Sequence, residues 1–322
     1  MAPSAHEIPK SIRPTVRLEH GGVVCAIASS QKWKWVATGG KGNFKVWQAP
    51  QLQPLERQRS VTQCLDERTC LEGHYVRALL FTDQDRKLIV AGEHSLVEIW
   101  SVSETGNGPL SMTLETTLDS KSASIFGLCM MQDGRTVFLA TSSGIIEMWD
   151  LETSRCVKIF SGHTNTVSCV TVTNDGTYLV SGSLDGTVRV WNVSTGDQVS
   201  TLYASSEVFT ISVIRGADGS NWVLAGLANA LILTASLSDT QSKYCIQLHT
   251  ECVLAVKFGP TGKWFISASK DGTLNCSVIP SGQMICKANE SSYVTCCDIS
   301  ACGNYLLSGG GTNAGMVYEV IY

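Results

Sequence analysis

An internal repeat constrains the fold of this chain more than any other feature. Four segments end in a tryptophan after a short alternating run: Phe44-Lys45-Val46-Trp47, Val97-Glu98-Ile99-Trp100, Ile146-Glu147-Met148-Trp149 and Val188-Arg189-Val190-Trp191. Three weaker copies place Thr234, Ser277 and Tyr318 at the tryptophan position. Successive copies are 53, 49, 42, 43, 43 and 41 residues apart. This spacing is close to the ~40–45 residues of a four-stranded propeller blade, with two longer early loops.

The seven copies predict one domain. A length of 322 residues would on its own suggest about two domains, but the copies fill residues 15–322. We therefore expect an all-β, seven-bladed β-propeller over residues 15–322, preceded by a flexible tail over residues 1–14. Residues 15–19 have strand character, and the last strand, residues 316–322, has no outer strand after it. The N-terminal strand is predicted to close the last blade, because closure removes exposed sheet edges.

The most complete copy, residues 162–193, carries a set of polar residues typical of a WD-repeat blade. His163, Ser181, Asp185 and Trp191 can form one buried network. An imidazole can bridge an aspartate and a hydroxyl, and the indole N–H can donate to that hydroxyl. A histidine, a serine and an aspartate could also suggest a hydrolase triad. The chain has no nucleophile-elbow sequence, so we interpret the set as structural and expect no catalytic residue and no enzyme.

Histidines at equivalent places in other copies keep only part of this network. They are His20, His74 with Trp100, and His249 with Asp271. We expect them to stabilise blades and not to bind a metal. The thirteen cysteines include no CxxC pair, and their odd number does not favour a disulfide scaffold. Reduced and mostly buried thiols, typical of an intracellular protein, are the expectation, with no metal and no other cofactor.

Charge and hydropathy exclude two classes of direct partner. The chain has 24 lysines and arginines against 28 aspartates and glutamates, a net charge of −4. It therefore has no basic field with which to bind nucleic acid directly. No apolar run approaches the ~18 residues of a membrane span. We expect neither nucleic acid nor a membrane as a direct partner.

A comparison of the seven first strands separates packing positions from candidate binding positions. Each first strand contributes four aligned residues, of which the second is always Val or Ile and the fourth is always small. Such residues suit packing between blades. Because the first strand of each propeller blade lines the central channel, the variable third position is predicted to ring one mouth of it. The third-position residues are Cys25, Arg77, Phe126, Ser168, Phe209, Leu254 and Thr295.

This ring has the composition of a binding pocket. Two phenylalanines, a leucine and one arginine around a single opening form an apolar pocket with one charged group, and Tyr75 stands beside it in the first aligned position. Specific binding sites often have this makeup. The alternative is that the aromatic side chains plug the channel as core filler.

Several longer strings carry a family resemblance that blade periodicity alone does not produce. The chain resembles the C-terminal WD-repeat domain of the Groucho / transducin-like enhancer of split corepressors over nearly its whole length. The resemblance is sharpest in residues 20–24, 75–93, 252–265 (CVLAVKFGPTGKWF) and 317–322.

The resemblance implies a non-enzymatic corepressor that acts in the nucleus through DNA-bound transcription factors. In such proteins the propeller mouth holds short peptides of the Trp-Arg-Pro-Trp type and short engrailed-homology helices. Phe126 stands where the family has another aromatic residue, and Phe209 is unchanged. This chain on its own is expected to be monomeric. The implied peptide-binding residues are Val23, Cys25, Tyr75, Arg77, Glu93, Phe126, Phe209 and Leu254.

Departures from the family pattern keep a second function open. Thr295 replaces a family leucine at the mouth, and Ser277 stands where the sixth family copy has tryptophan. The Gln-rich N-terminal segment that oligomerises the corepressors is absent from these residues, as expected of a fragment or of a short, diverged relative. The alternative is a cytoplasmic scaffold of the oocyte subcortical maternal complex type. Such a scaffold would use blade sides or loops, such as the connection over residues 48–70.

Overall fold

The computed structural model describes residues 8–50, 62–104, 110–121, 124–216, 219–237 and 243–322. These residues form 28 β-strands in seven antiparallel sheets of four strands, which confirms the predicted seven-bladed propeller. Two short 3₁₀ turns, Leu71–Gly73 and Asp83–Asp85, complete the regular structure of the described ranges. No helix in this part of the chain is long and apolar enough to cross a membrane.

Within each blade the strands run from the central channel outwards. Blade 1 has β2 (Ala26–Ser29), β3 (Trp35–Gly39), β4 (Asn43–Gln48) and β5 (Cys64–Thr69). Blade 2 has β6 (Val76–Phe81), β7 (Lys87–Gly92), β8 (Leu96–Glu104) and β9 (Leu110–Asp119). Blade 3 has β10 (Ile125–Met130), β11 (Thr136–Thr141), β12 (Ile145–Asp150) and β13 (Arg155–Ser161). Blade 4 has β14 (Val167–Val172), β15 (Tyr178–Ser183), β16 (Thr187–Asn192) and β17 (Gln198–Tyr203).

The remaining blades follow the same order. Blade 5 has β18 (Val208–Arg215), β19 (Asn221–Leu227), β20 (Leu231–Ser236) and β21 (Lys243–Gln247). Blade 6 has β22 (Val253–Phe258), β23 (Trp264–Ser269), β24 (Thr273–Val278) and β25 (Met284–Asn289). Blade 7 has β26 (Val294–Ile299), β27 (Tyr305–Gly310), β28 (Gly315–Ile321) and, as its outer strand, β1 (Ser11–Leu18).

The N-terminal strand closes the last blade, as predicted, but it starts earlier than the predicted boundary at residue 15. β1 pairs with β28 from Ser11 opposite Ile321 to Leu18 opposite Gly315. The predicted tail over residues 1–14 therefore has its last four residues inside this strand, and residues 1–7 lie outside the described ranges. Pro14 cannot donate a hydrogen bond to the ladder. An outer edge strand tolerates it, and the register shifts directly after it, between Pro14 and Val16.

The core lies between the blades. The Val or Ile of each first strand is fully buried in every blade, and the seven residues of the tryptophan column are all buried. The seven second-position residues are Val24, Val76, Ile125, Val167, Val208, Val253 and Val294, each no more than 1% exposed. The blade side chains thus pack against their neighbours and leave the innermost strands to define the channel.

Candidate functional site

A β-bulge at the third aligned position sets the shape of the channel mouth. In blades 2 to 7 the ladder between the first and second strands skips one residue, always at this position. In blade 2, for example, Val76 lies opposite Gly92 and Ala78 opposite Ala91, so Arg77 is left out of the ladder. A bulged residue is free to point away from the sheet. The bulge therefore turns the third-position side chain towards the channel.

All seven third-position residues line one cavity of about 210 Å³ at the centre of the ring. Each of these side chains is half-buried. The small fourth-position residues, such as Ala78 and Gly127, form its wall below them. A cavity of this volume does not fit the alternative in which the aromatic side chains fill the channel. The mouth offers Phe126, Phe209 and Leu254 as apolar contact surface.

Arg77 is held in place by two neighbours at the mouth. Its Nε donates to Oε1 of Glu93 at 2.9 Å, and its Nη2 contacts the same oxygen. Its guanidinium carbon lies 5.5 Å from the ring centroid of Tyr75, within the range of a cation–π interaction. The backbone N–H of Glu93 donates to the carbonyl of Tyr75 at 2.9 Å. The three residues thus form one unit, and the charge of Arg77 is balanced by Glu93.

The eight candidate peptide-binding residues take three kinds of position in the structure. Five line the cavity itself: Cys25, Arg77, Phe126, Phe209 and Leu254. Tyr75 and Glu93 join them through Arg77, while Val23 lies half-buried just before the first strand of blade 1. Burial raises the pKa of the Cys25 thiol, so this side chain is a neutral contact surface at physiological pH.

Ser168 and Thr295 complete the ring but direct their hydroxyls into the blade junctions. The Ser168 hydroxyl lies 2.6 Å from the carbonyl oxygen of Val208 and 3.1 Å from that of Gly182. The Thr295 hydroxyl makes the same pair of contacts, at 2.6 Å to Val24 and 3.1 Å to Gly309. Each hydroxyl thus links its own blade to the next. The sequence analysis did not predict this link between neighbouring blades. The sequence signal for it is a serine or threonine at the third aligned position.

The polar residues of blade 4 form one hydrogen-bonded chain. The His163 Nδ1 lies 2.8 Å from Oδ2 of Asp185, and its Nε2 lies 2.8 Å from the Ser181 hydroxyl. The indole N–H of Trp191 donates to that hydroxyl at 2.9 Å. Burial lowers the pKa of His163. A neutral imidazole protonated on Nδ1 therefore satisfies every partner, and the set is enclosed within the blade rather than open to a substrate.

Parts of this arrangement recur in two other blades. In blade 6, His249 lies 3.1 Å from Asp271 and 2.8 Å from Ser267. In blade 1, Nδ1 of His20 lies 2.9 Å from the Thr38 hydroxyl, to which the indole of Trp47 also donates at 2.9 Å.

His74 does not take part in such a network with Trp100, contrary to the sequence interpretation. Its Nδ1 lies 2.9 Å from the carbonyl oxygen of Leu71, and the residue is exposed. The indole of Trp100 donates instead to Glu98 at 2.9 Å. A carboxylate replaces the histidine network because Glu98 and Trp100, two residues apart, lie on the same side of one strand.

Two further blades use a buried or half-buried carboxylate that sequence reasoning missed. In blade 3, Trp149 donates to Glu147 at 2.8 Å, again with a spacing of two residues. In blade 7, Glu290 accepts hydrogen bonds from the hydroxyls of Ser308 (2.8 Å) and Tyr318. The Glu-x-Trp spacing in the third strands was the sequence signal for the first of these.

All thirteen cysteines are free thiols, but they are less buried than expected. Cys70, Cys276 and Cys297 are buried, whereas Cys64, Cys156 and Cys245 are exposed. The exposed three lie on outermost strands, which have no neighbouring strand on one side. Within the described ranges, no group of three or more histidine, cysteine or acidic side chains is placed to hold a metal ion.

Comparison with known proteins relates the chain to a repeat family and to a longer relative. The family described as "WD domain, G-beta repeat" matches residues 154–192, 240–276 and 282–314. The chain is similar to "Protein groucho" of Drosophila melanogaster, with 37% identity over 318 residues. The alignment covers 98% of this chain and 41% of that relative. The chain thus spans less than half the length of the curated relative that it matches.

Proposed function

Because the chain is a Groucho-family WD-repeat domain, we propose that it is a non-enzymatic transcriptional corepressor module whose mouth binds short peptides. The proposed ligands are motifs of DNA-bound repressors, of the Trp-Arg-Pro-Trp and engrailed-homology types. One observation carries the proposal. Bulges turn the variable side chains of six first strands towards a single cavity. Its lining combines large apolar side chains with hydroxyl groups and two cations, Arg77 and Lys257.

The mouth suits a peptide with large apolar anchors. Phe126, Phe209 and Leu254 offer contact surface for aromatic or leucine side chains. Burial of two or three such anchors contributes about 1.5–3 kcal/mol each. Backbone hydrogen bonds and the remaining contacts add to this and offset the costs of association and of ordering the peptide. We expect roughly micromolar affinity, which corresponds to about −8 kcal/mol.

Arg77 supplies the polar part of the recognition. Its Nε and Nη2 contact Glu93, which leaves other guanidinium N–H groups, of the five that an arginine has, for carbonyl oxygens of a peptide backbone. The contact with Tyr75 and the ion pair with Glu93 fix the guanidinium before the peptide arrives. A preorganised donor of this kind lowers the ordering cost of binding.

A titration of the chain with both peptide classes tests the proposal. We expect roughly micromolar binding to the wild type, and a roughly 10- to 100-fold loss in Leu254→Ser, because one buried anchor contact is removed. Leu114→Ser is the matched control: Leu114 is exposed on the outer strand β9, so this variant should bind like the wild type. Failure of the wild type to bind either class at concentrations on the order of 100 µM would contradict the proposal.

An observation on the outer strands favours the scaffold as a second candidate. Val157 and Ile159 of β13 are 53% and 56% exposed, and Tyr203 of β17 is 73% exposed. Exposed apolar side chains on neighbouring blades suit a protein-binding surface. The connection over residues 48–70, the other candidate surface, lies partly outside the described residues. A multiprotein complex that survives Leu254→Ser would favour the scaffold, with a cytoplasmic rather than nuclear location.

A further inference from the structure

We propose that the mouth binds a peptide in one direction, with a carboxylate of the ligand at Lys41 and Tyr75 and a cation of the ligand at Glu207. This inference rests on the proposed peptide-binding function and adds its polarity. It follows from where the unpaired charges lie around the ring.

Lys41 and Tyr75 form a positive corner at the junction of blades 1 and 2. Lys41, in the turn between β3 and β4, forms an isolated β-bridge with Tyr75, which directly precedes β6. Its ammonium lies 5.8 Å from the ring centroid of Tyr75. Lys41 is exposed. Within the described ranges, neither its ammonium nor the hydroxyl of Tyr75 has a hydrogen-bonding or ion-pair partner, so both remain available to an anion.

Glu207 forms the negative side of the mouth. It directly precedes β18 of blade 5, next to the cavity residue Phe209. In a ring of seven blades, blade 5 lies opposite the junction of blades 1 and 2. The hydroxyl of Ser206 donates to the carboxylate at 2.6 Å, and this bond lowers the pKa of Glu207. Glu207 is exposed, and no lysine or arginine of the described residues pairs with it.

Most other charged residues on this face lie next to a group that can carry the opposite charge. Glu93 pairs with Arg77, and Lys270 pairs with Glu251 at 3.4 Å. In blade 3, Asp119 lies two residues before Lys121, and its carboxylate accepts the Lys121 backbone N–H at 3.0 Å. Glu72 lies 3.4 Å from the imidazole of His94. A ligand across the mouth therefore meets the unpaired ammonium of Lys41 at one end and the unpaired carboxylate of Glu207 at the other. Opposite charges at its two ends fit one direction better than the reverse.

Double-mutant cycles between chain and peptide test this polarity. One peptide carries an apolar core, an aspartate at one end and a lysine at the other, and single-neutral versions replace the aspartate by asparagine or the lysine by glutamine. In the wild type each neutral version should bind ~1.5- to 5-fold more weakly, as exposed charge pairs contribute little each. The aspartate effect should vanish in Lys41→Gln but persist in Glu207→Gln, and the lysine effect should show the opposite pattern.

Three further measurements sharpen the result. The coupling should shrink as salt rises, because exposed charges are screened. A peptide without the aspartate, compared as free acid and as C-terminal amide, shows whether a terminal carboxylate serves as well as a side chain. Lys32→Gln, in the turn between β2 and β3 on the opposite face, is the matched control and should show no coupling.

Two outcomes would overturn the inference. Absence of coupling at both ends would show that the charges do not contact the peptide. Equal coupling of each peptide end to both variants would show binding in either direction. The proposed function is judged separately, by whether the wild type binds the uncharged core peptide at all.

Discussion

Thr295 lies at a candidate ligand-binding position, but its hydroxyl stabilises the junction between two blades. It stands at the channel position of blade 7, yet its hydroxyl lies 2.6 Å from the carbonyl oxygen of Val24 in blade 1. The shorter of its two contacts therefore crosses the junction at which the first and last blades meet. A leucine at this position, as the family resemblance leads one to expect, would extend into the mouth and lack this bond.

Removal of that hydroxyl should weaken the fold. Thr295→Val keeps the shape of the side chain and leaves the carbonyl of Val24 without this donor, so we expect a loss of about 1–2 kcal/mol in the free energy of unfolding. Urea denaturation of the variant beside the wild type measures it. Thr295→Ser, which keeps the hydroxyl, should lose less. Equal stability of Thr295→Val and the wild type would show that the bond contributes nothing.

Residue types at fixed spacing made some side-chain contacts predictable and others not. The network of His163, Ser181 and Asp185 follows from chemistry, because each group satisfies the next. Glu98 was overlooked because a glutamate on a strand usually faces water. Glu98 is buried beside Trp100 in a blade that has no histidine network. The absence of that network cannot be recognised from the sequence of one blade.

The bulge is the structural element that makes the candidate site. Variation at the third aligned position indicated the same residues that the bulges turn towards the cavity, so the members of the ring could be predicted from the sequence. The bulge itself could not, because it is a shift in backbone pairing and no residue type is required for it. The contact between Arg77 and Glu93 could not be predicted from the sequence either, because Arg77 lies on β6 and Glu93 follows β7.

Gly92 tests whether the backbone at this bulge positions the site. A Cβ on Gly92 would lie 1.9 Å from the carbonyl oxygen of Tyr75, so Gly92→Ala must push the first and second strands of blade 2 apart. We expect a cost of about 1–3 kcal/mol in unfolding free energy, as for other overpacked sites. Displacement of Tyr75 should also weaken peptide binding.

The control for this prediction is Gly22→Ala, because a Cβ on Gly22 meets no atom within 4 Å. Denaturation and peptide titration of both variants provide the comparison. Normal stability and binding of Gly92→Ala would mean that the strands adjust without moving the Arg77 unit.

At the scale of the whole molecule, the ring depends on the junction between blades 7 and 1. Trp33 of blade 1 stacks on Tyr305 of blade 7, with ring centroids 4.2 Å apart. Leu18 of β1 is fully buried in the cluster that joins the two blades. Closure of blade 7 by the N-terminal strand could be predicted from the number of strands, because β28 would otherwise have a free edge. Its extent could not, because the Pro14 position gives no sign that pairing continues to Ser11.

Leu18 allows closure to be separated from ordinary core packing. Leu18 and Leu202 occupy equivalent places on the outer strands of blades 7 and 4, opposite Gly315 and Val188. Replacement of either leucine by alanine should lower the free energy of unfolding by about 2–5 kcal/mol.

We expect Leu18→Ala to speed backbone hydrogen exchange in both β1 and β28. β1 is held to blade 7 only by pairing and packing, because it follows no strand of that blade in the chain. Leu202→Ala should act mainly on β17, which a short turn ties to β16. If the two variants changed exchange only in their own outer strands and to the same degree, the N-terminal strand would be an ordinary blade edge, and ring closure would have to depend on the contacts of Trp33 and Thr295.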